Sequence, residues 1–387
     1  MSIRKRKWTT GQGVKKEAWV VDYVDQKGKR HLRTFARKKD ADAYEATASV
    51  EVREGIHTPA SDSVTVAEAA SDWLQGADEL GLERATREQY RQHVDRHIVP
   101  FIGRVKLAQL GVPTAREFES RLRSEGRSEA MVRKVVGSLG SIVADAQERG
   151  KVSRNVVREM RSRRKPGKDR RAVARKRGKL KVGVDIPTRE EIKSIVGALQ
   201  GRWRPLILTA IFTGLRASEL RGLRWENVDF VKSQIHVRER ADRYNEIGSP
   251  KSEAGERTVP MTPIVINALK EWNLATGGKG LVFGNGKGNV ESLANIINRG
   301  LVPPQVAAGL TNKQGRARYT GMHALRHFHA SWCINPKSAG GLELTPKVVQ
   351  ERMGHSTITM TMDVYGHLFP RGDDSEELAA AERSLLA

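Results

Sequence analysis

A block of basic residues near the middle of the chain limits what this sequence can fold into more than any other feature. More than half of the residues from 158 to 181 are Lys or Arg. Because such a block repels itself and has no apolar periodicity, it cannot build a core and is expected to be extended when free. It is either a solvated tether or a segment that lies along phosphates and becomes ordered on binding. We favour the second interpretation, because a tether need not be so basic.

The charge of the whole chain points to the same kind of partner. The 387 residues carry 68 Lys and Arg against 45 Asp and Glu, a formal net charge of +23, which favours a polyanion and most simply nucleic acid. No apolar run approaches the ~18 residues that a membrane-spanning helix needs. The single cysteine, Cys333, excludes an internal disulfide framework and a multi-cysteine metal site. The charged N-terminus has no apolar stretch behind it, so we expect no secretion signal and a cytoplasmic location.

The part of the chain before the basic block divides once more. Residues 18–24 and 31–35 alternate as strands do, and residues 39–52 have helical spacing. A loop-rich break follows at residues 58–63. Beyond it, apolar residues recur at steps of three and four, which predicts a small helical bundle. Three capping boxes, at Thr65, Thr86 and Thr114, would each satisfy free amides where a helix begins.

The part after the block predicts a mostly helical domain. Thr188 begins a helix, and the apolar run 205–212 predicts a buried one. Two strands, at about residues 233–238 and 256–261, flank a hairpin that contains Lys251. The fold class is therefore multidomain and mainly α, with a small N-terminal α+β domain, a helical bundle, and a mixed, mostly helical domain with small β-sheets. The predicted boundaries are 1–60, 64–157, 158–184 for the basic linker, and 185–387.

The sequence contains no nucleotide-binding motif and no metal-binding motif. The glycine-rich stretch 280–288 lacks the spacing of a phosphate-binding loop. There is no His-Glu-x-x-His pattern, and the acidic pair Asp373 and Asp374 stands alone, whereas a metal-dependent nuclease needs converging carboxylates. We therefore expect no cofactor.

The histidines carry the positive evidence. Five of the ten fall in the last quarter of the chain: His323, His327, His329, His355 and His367. A lone histidine is more often structural, but His323 and Arg326 are three residues apart and share one helical face. A glycine precedes His355, and Tyr365 follows ten residues later. Upstream, Arg216 begins a helix just after a Thr-Gly break.

Together these motifs resemble the tyrosine recombinase (phage integrase) family, in the family's order, from about residue 64 to residue 370. Arg216 matches the arginine of Arg-x-Ser-Glu-Leu, and Lys251 matches the hairpin lysine. His323 and Arg326 match the His-x-Leu-Arg-His box, His355 matches the later Gly-His, and Tyr365 matches the nucleophilic tyrosine. The resemblance implies that residues 1–60 are an arm-type DNA-binding domain, that the bundle binds core sites, and that the last domain is catalytic. One departure is the stretch 334–345, which is longer than the family's usual connection.

The chemistry that the resemblance implies suits these residue types. Tyr365 would attack a DNA phosphorus, forming a 3′-phosphotyrosyl link and releasing a 5′-hydroxyl. The aryl ester keeps the bond energy, so the 5′-hydroxyl of a partner strand can reverse the step without ATP. Arg216 and Arg326 suit the two non-bridging oxygens, because guanidinium donors match phosphate oxygens in pairs.

The remaining matched residues would move protons or hold the phosphate. Lys251 could protonate the leaving 5′-oxygen, although Lys232 and Arg257 lie close to it in sequence. His323 could take or share the proton of the tyrosine, and His355 could donate to the phosphate. The other three histidines of the last quarter are expected either to support the catalytic residues from behind or to hold the fold. Glu219 more simply braces the fold than reacts.

The resemblance also implies partners. We expect double-stranded DNA attachment sites, a homotetramer on DNA in a bacterial cell, and accessory bending or directionality proteins. The candidate DNA-binding arginines are Arg30, Arg33, Arg87, Arg91, Arg133, Arg164 and Arg171. Residues 374–386 predict a short amphipathic helix that needs a surface to pack on, either on its own catalytic domain or on a neighbouring protomer.

Three functions remain open at this point. The first is a site-specific recombinase that integrates or excises a mobile element, which the arm and core-binding domains favour because specificity needs several contacts on defined sites. The second is a metal-independent, tyrosine-type topoisomerase, which would relax any supercoiled plasmid. The third is a DNA-binding regulator that keeps the motifs without using them, in which Tyr365→Phe would be silent.

Overall fold

The computed structural model of the protein describes residues 1–9, 11, 14–26, 28–55, 57–59, 62–162, 179–370 and 374–387. The chain divides into two compact units, Met1–Gly167 and Lys168–Ala387. Along the described residues, no helix combines the length and the apolar character needed to cross a bilayer. The multidomain, mainly helical fold class predicted above is confirmed.

The first unit begins with a three-stranded antiparallel sheet covered by one helix. Its elements are β1 (Ser2–Thr9), β2 (Lys15–Val24), β3 (Arg30–Phe35) and α1 (Lys38–Arg53). Val21, Tyr23 and Ala41 are buried between sheet and helix, so the alternation of β2 and the spacing of α1 were read correctly. Strand β1 was not predicted, because half of its residues are charged and they show no apolar alternation. That strand forms because its whole length pairs with β2, from Ser2 opposite Asp22 to Thr9 opposite Lys15.

The rest of the first unit is the predicted helical bundle. Its helices are α2 (Val66–Glu79), α3 (Arg84–His93), α4 (Val99–Ile102), α5 (Val112–Ser124), α6 (Glu129–Glu148) and α7 (Val156–Ser162), with a π-helical turn at Val94–Ile98. Phe118, Leu139 and Ile142 are fully buried among them. The capping box at Thr65 is present, with Glu68 as its partner.

The other two capping boxes predicted in the bundle are wrong. Helix α3 begins after Glu83, so Thr86 lies inside it. Helix α5 begins after Gly111, with Pro113 in its first turn, so Thr114 also lies inside. In α5 the reason is physical: proline fixes the helical φ angle and lacks the amide that would need a cap, so it favours an earlier start.

Helix α7 carries the bundle into the basic block. Val156, Val157 and Met160 are buried in the bundle core, and the helix crosses the predicted boundary at residue 157 to end at Ser162. Residues 163–178 lie outside the described residues, and with them the proposed ordering of the block on phosphates and the candidate contacts Arg164 and Arg171.

The second unit is built on a buried helix. Its helices are α8 (Arg189–Ala198), α9 (Trp203–Thr213), α10 (Ala217–Gly222), α11 (Pro263–Thr276), α12 (Leu293–Asn295), α13 (Val302–Ala307), α14 (His323–Ile334), α15 (Pro346–Met353), α16 (Ile358–Tyr365) and α17 (Asp374–Leu386). Helix α8 begins after Thr188, as predicted, and Thr188 caps it together with Glu191. Leu206, Ile207 and Ile211 of α9 are buried in the core.

Small sheets complete the second unit, as expected. The strands β4 (Val228–Asp229), β5 (Gln234–Val237) and β8 (Arg257–Pro260) form one antiparallel sheet, and β6 (Arg240–Ala241) pairs with β7 (Ile247–Gly248). The two predicted strands therefore pair with each other, as β5 and β8. The connection between α14 and α15 contains a short 3-10 turn at Lys337–Ala339.

Candidate active site

The end of helix α9 sets the position of Arg216. Gly214 ends that helix with a left-handed φ of 62°, and a Cβ there would lie 2.5 Å from the ring of His329. The chain then turns into α10, which Arg216 caps. The main-chain amide of Arg216 donates to Glu219 Oε2 at 2.8 Å, and its Nη1 donates to Oε1 at 2.6 Å. Its Nη2 donates to the carbonyl of Gly354 at 2.8 Å.

Arg326 approaches the same place from helix α14. It is buried, with 3% exposure, and its Nη1 donates to the carbonyl of Gly214 at 2.6 Å. Its Nη2 donates to the carbonyl of Met353. Burial and the charge of Arg216 lower the pKa of Arg326 to about 9, so it stays a cation at neutral pH. The two predicted arginines thus donate to the carbonyls of adjacent residues, Gly354 and Met353, at the end of α15.

A third arginine, Arg257 at the start of β8, braces this arrangement. Its Nη2 lies 2.9 Å from Glu219 Oε2, its Nη1 lies 3.2 Å from Oε1, and its Nε donates to the carbonyl of Arg352 at 2.8 Å. Burial alone would raise the pKa of Glu219, but Arg257, followed by Arg216 and Arg326, lowers it to about 2. The sequence singled out Arg257 only as a neighbour of Lys251, because a strand residue gives no sign of which helix it will contact.

Tyr365 is the last residue of helix α16 and is almost fully buried, at 2% exposure. Its hydroxyl lies 2.7 Å from His327 Nδ1. The ring of His355 stacks on its ring, with the centroids 6.1 Å apart and the planes 8° apart. Burial raises the pKa of Tyr365 to about 12, although Arg326 and Arg216 act in the opposite direction.

The histidines around Tyr365 are arranged differently from the sequence prediction. His323, the first residue of α14, is exposed, and its ring lies 5.3 Å from that of His327. The residue that contacts the tyrosine hydroxyl is His327, to which the sequence assigned a role in supporting the catalytic residues or the fold. His355 is buried, and its Nδ1 lies 2.9 Å from Thr361 Oγ1.

Burial and the arginines keep these histidines neutral at pH 7. Burial, then Arg326 and Arg216, lower the pKa of His355 to about 4. Burial, then His323 and Arg326, lower the pKa of His327 to about 4. The charged groups at the site are therefore three arginines and one glutamate, a sum of 3 − 1 = +2. That excess suits an anion such as a phosphodiester.

The structure thus brings most of the predicted site residues together. Arg216, Arg326, His355 and Tyr365 lie in one cluster, joined by the carbonyl contacts and ring contacts described above, and His323 lies at its edge. Lys251 is exposed on the loop between β7 and β8, and its part in the reaction stays a prediction.

Two of the candidate DNA-binding arginines lie on strand β3. Arg30 is exposed and donates to Asp22 from Nε at 2.8 Å. Arg33 is half-buried, with its guanidinium 4.4 Å from the ring centroid of Tyr44. Arg30 is therefore accessible, whereas Arg33 packs against the helix side of the sheet.

Three more lie on the bundle. Arg87 of α3 is half-buried and donates to Asp78 at 2.8 Å, and Arg91, one turn further on and exposed, lies 3.5 Å from the same carboxylate. Arg133 is exposed on α6 and donates to the carbonyl of Glu129 at 3.3 Å. Their contacts with DNA stay predictions.

One group of described residues has ligand atoms close enough together to hold a metal ion, and it lies in the first unit. It consists of Asp25, His31 and Asp62. Asp25 is 2.7 Å from His31 Nε2, and Lys29 Nζ is 3.2 Å from Asp62. These ion pairs explain the grouping without a metal.

Comparisons of the sequence with known proteins give a family match and a recombinase relative. The model of the phage integrase family matches residues 187–371. A relative described as a XerC-like tyrosine recombinase, from Caldanaerobacter subterraneus subsp. tengcongensis, is 27% identical over 377 residues, which cover 90% of this chain and 90% of the relative.

Solved structures show the same fold. The Tn1549 transposon integrase in complex with transposon right end DNA superposes with a TM-score of 0.63 at 20% identity, covering 83% of this chain and 99% of that one. A lambda integrase tetramer bound to a Holliday junction gives a TM-score of 0.54 at 16% identity, covering 91% of this chain and 96% of that one. Residues 187–371 therefore form a domain of the phage integrase family, and the chain over most of its length is similar to a tyrosine recombinase.

Proposed function

We propose that this protein is a site-specific DNA recombinase that integrates or excises a mobile element through a 3′-phosphotyrosyl intermediate. The observation that carries the proposal is the buried Tyr365 hydroxyl, which lies beside two neutral histidines at a site with a net charge of +2. A phenol held next to an anion site is the arrangement that attack on a phosphodiester requires.

The proposed reaction is two reversible transesterifications. Tyr365 Oη forms a bond to phosphorus, the bond from phosphorus to the 5′-oxygen breaks, and the 5′-oxygen takes up a proton. The 5′-hydroxyl of a partner strand then attacks the phosphotyrosyl ester and releases the phenol. Because one ester replaces another, the reaction needs neither ATP nor water.

The cations supply most of the proposed stabilisation. Carbonyls and Glu219 hold Arg216 and Arg326 in place, so no reorganisation is needed when charge develops on the non-bridging oxygens. Lys251 is assigned to protonate the leaving 5′-oxygen. His355 can donate to the phosphate from Nε2 if its Nδ1 accepts from the hydroxyl of Thr361.

The remaining parts of the chain are assigned to DNA and to assembly. We assign residues 1–60 to arm sites and 64–157 to core sites, with the basic linker 158–184 along phosphates. The tetramer of lambda integrase on a Holliday junction favours a homotetramer here as well, acting on bacterial DNA in the cytoplasm with accessory bending or directionality proteins. Helix α17 has an exposed apolar set, namely Leu378, Leu385 and Leu386, and we assign it to a neighbouring protomer.

Suicide substrates test this proposal. Duplexes from the junctions of the element that encodes the chain, nicked beside each candidate cleavage position, are incubated with wild type and Tyr365→Phe without metal or ATP. We expect a covalent adduct with wild type and none with Tyr365→Phe. Tyr90→Phe, a half-buried tyrosine that stacks on Trp73 in the bundle, is the matched control and should form the adduct.

Two other outcomes would favour the other functions. Adducts that form equally with Tyr365→Phe overturn the assignment of the nucleophile, and binding without any adduct favours a regulator. Relaxation of a supercoiled plasmid that lacks the junction sequences favours a topoisomerase. Recombination between paired sites separates the recombinase from both alternatives.

A further inference from the structure

The contact between His327 and Tyr365 has the geometry of a proton transfer. The distance of 2.7 Å from Nδ1 to the hydroxyl oxygen lies at the short end of hydrogen-bond distances. Tyr365 is 2% exposed and His327 is half-buried, so bulk water has little access to the hydroxyl. The ring centroids are 5.8 Å apart and tilted by 60°, so the rings are not stacked and the hydrogen bond joins their edges.

Helix α14 explains why His327 and not His323 makes this contact. The two residues are four apart and lie on the same face of the helix. His323 is the first residue of the helix and is exposed, whereas His327 lies one turn further in, next to the buried Arg326. The ring of His323 lies edge-on to the ring of His327, with the centroids 5.3 Å apart. His323 therefore contacts His327, and His327 contacts the tyrosine hydroxyl.

We propose that His327 is a catalytic residue, the base that accepts the proton of Tyr365 during cleavage and returns it during rejoining. This inference rests on the proposed function and deepens it. As the bond from Tyr365 Oη to phosphorus forms, the phenolic proton moves to His327 Nδ1. The bond from phosphorus to the 5′-oxygen breaks, and that oxygen takes its proton from a separate donor, assigned to Lys251. In rejoining, both transfers run backwards.

The charged groups around His327 favour its action as a base once DNA is bound. Burial, His323 and Arg326 lower its pKa to about 4, and Asp185 acts weakly in the opposite direction, so His327 has a free lone pair before DNA binds. A bound phosphodiester brings negative charge to the arginines beside it, and negative charge nearby raises the pKa of a histidine. The base therefore gains strength when its substrate is in place.

Single-turnover cleavage of a suicide substrate tests the role of His327. His327→Asn keeps a hydrogen-bond acceptor near the position of Nδ1 but cannot take up a proton. We expect it to cleave about 10²–10⁴ times more slowly than wild type, with a rate that rises with pH as hydroxide replaces the base. His323→Asn, four residues away, should lose much less activity. Equal losses, or a larger loss in His323→Asn, would overturn the proposal.

A substrate with sulfur in place of the 5′-bridging oxygen separates the base from the acid. A thiolate leaves without a proton. This substrate should therefore restore the cleavage rate of Lys251→Ala but not that of His327→Asn. If the cleavage rate of His327→Asn were restored, His327 would be the group that protonates the leaving oxygen, which contradicts the proposal. Faster cleavage by His327→Asn would instead mean that the hydrogen bond restrains the tyrosine, which also overturns it.

A second variant keeps the test valid if the asparagine disturbs folding. His327→Ala leaves room for free imidazole. Imidazole at millimolar concentration should raise the cleavage rate of this variant at least tenfold. No restoration in a variant that still binds the duplex counts against a base at this position. Failure of the proposed function looks different, because wild type itself would then form no adduct.

Discussion

Neutralising Glu219 should destabilise the second unit by an amount that the structure allows us to calculate. The carboxylate is 3% exposed and contacts both Arg257 and Arg216. The arginines lower its pKa from 4.5 to about 2, and a difference of this size between the unfolded and folded states corresponds to about 3 kcal/mol. Glu219→Gln removes this contribution and leaves Arg216 and Arg257, both half-buried, without the carboxylate that they share.

The pH dependence follows from the direction of the shift. The folded-state pKa of Glu219 lies below its unfolded value, so its contribution is complete well above pH 4.5 and is lost as the pH falls towards 2. Between pH 4 and pH 3 the wild type should lose about 1 kcal/mol per pH unit relative to Glu219→Gln. The difference between the two proteins should therefore fall to less than half between pH 7 and pH 3.

Scanning calorimetry of the full chain measures both effects. For a unit of this size, about 3 kcal/mol corresponds to a decrease in Tm of roughly 6–12 °C at pH 7. Glu271→Gln is the matched control, because Glu271 is 74% exposed and lies 3.7 Å from Arg204, and it should change stability by less than about 0.5 kcal/mol. A Tm decrease in Glu219→Gln as small as that of the control, or a difference that stays constant down to pH 3, would refute the reasoning.

Three further changes test other contacts of the second unit. Thr361→Val removes the hydroxyl that orients His355 and should slow single-turnover cleavage about tenfold, whereas Thr361→Ser should restore it. Gly214→Ala places a Cβ in a left-handed residue and 2.5 Å from the ring of His329, so unfolding experiments should show a loss of about 2 kcal/mol or more. Deleting residues 374–387 should leave the Tm of the second unit unchanged but abolish assembly on paired sites in gel-shift assays; unchanged assembly and recombination would place helix α17 outside the protomer interface.

Much of the local structure could be predicted because it depends on neighbours in sequence. The alternation of β2 and the apolar run of α9 predicted buried elements, and the Thr65 capping box and the helix start at Thr188 were predicted correctly. Strand β1 could not be predicted, because its charged residues carry no apolar period and it forms by pairing with β2. The starts of α3 and α5 were missed by three residues, because a threonine three residues before a carboxylate or amide also occurs inside helices.

The sequence by itself determined the chemical groups of the site and their order, because the motifs around Arg216, Arg326, His355 and Tyr365 are local patterns. Only the tertiary structure decided which groups touch. His327 and Tyr365 are 38 residues apart and on different helices, and their hydrogen bond depends on how α14 and α16 pack. The Arg257 contact with Glu219 spans the same separation. Helical spacing tells which side chains share a face, but the packing of one element on another selects the side chain that reaches across.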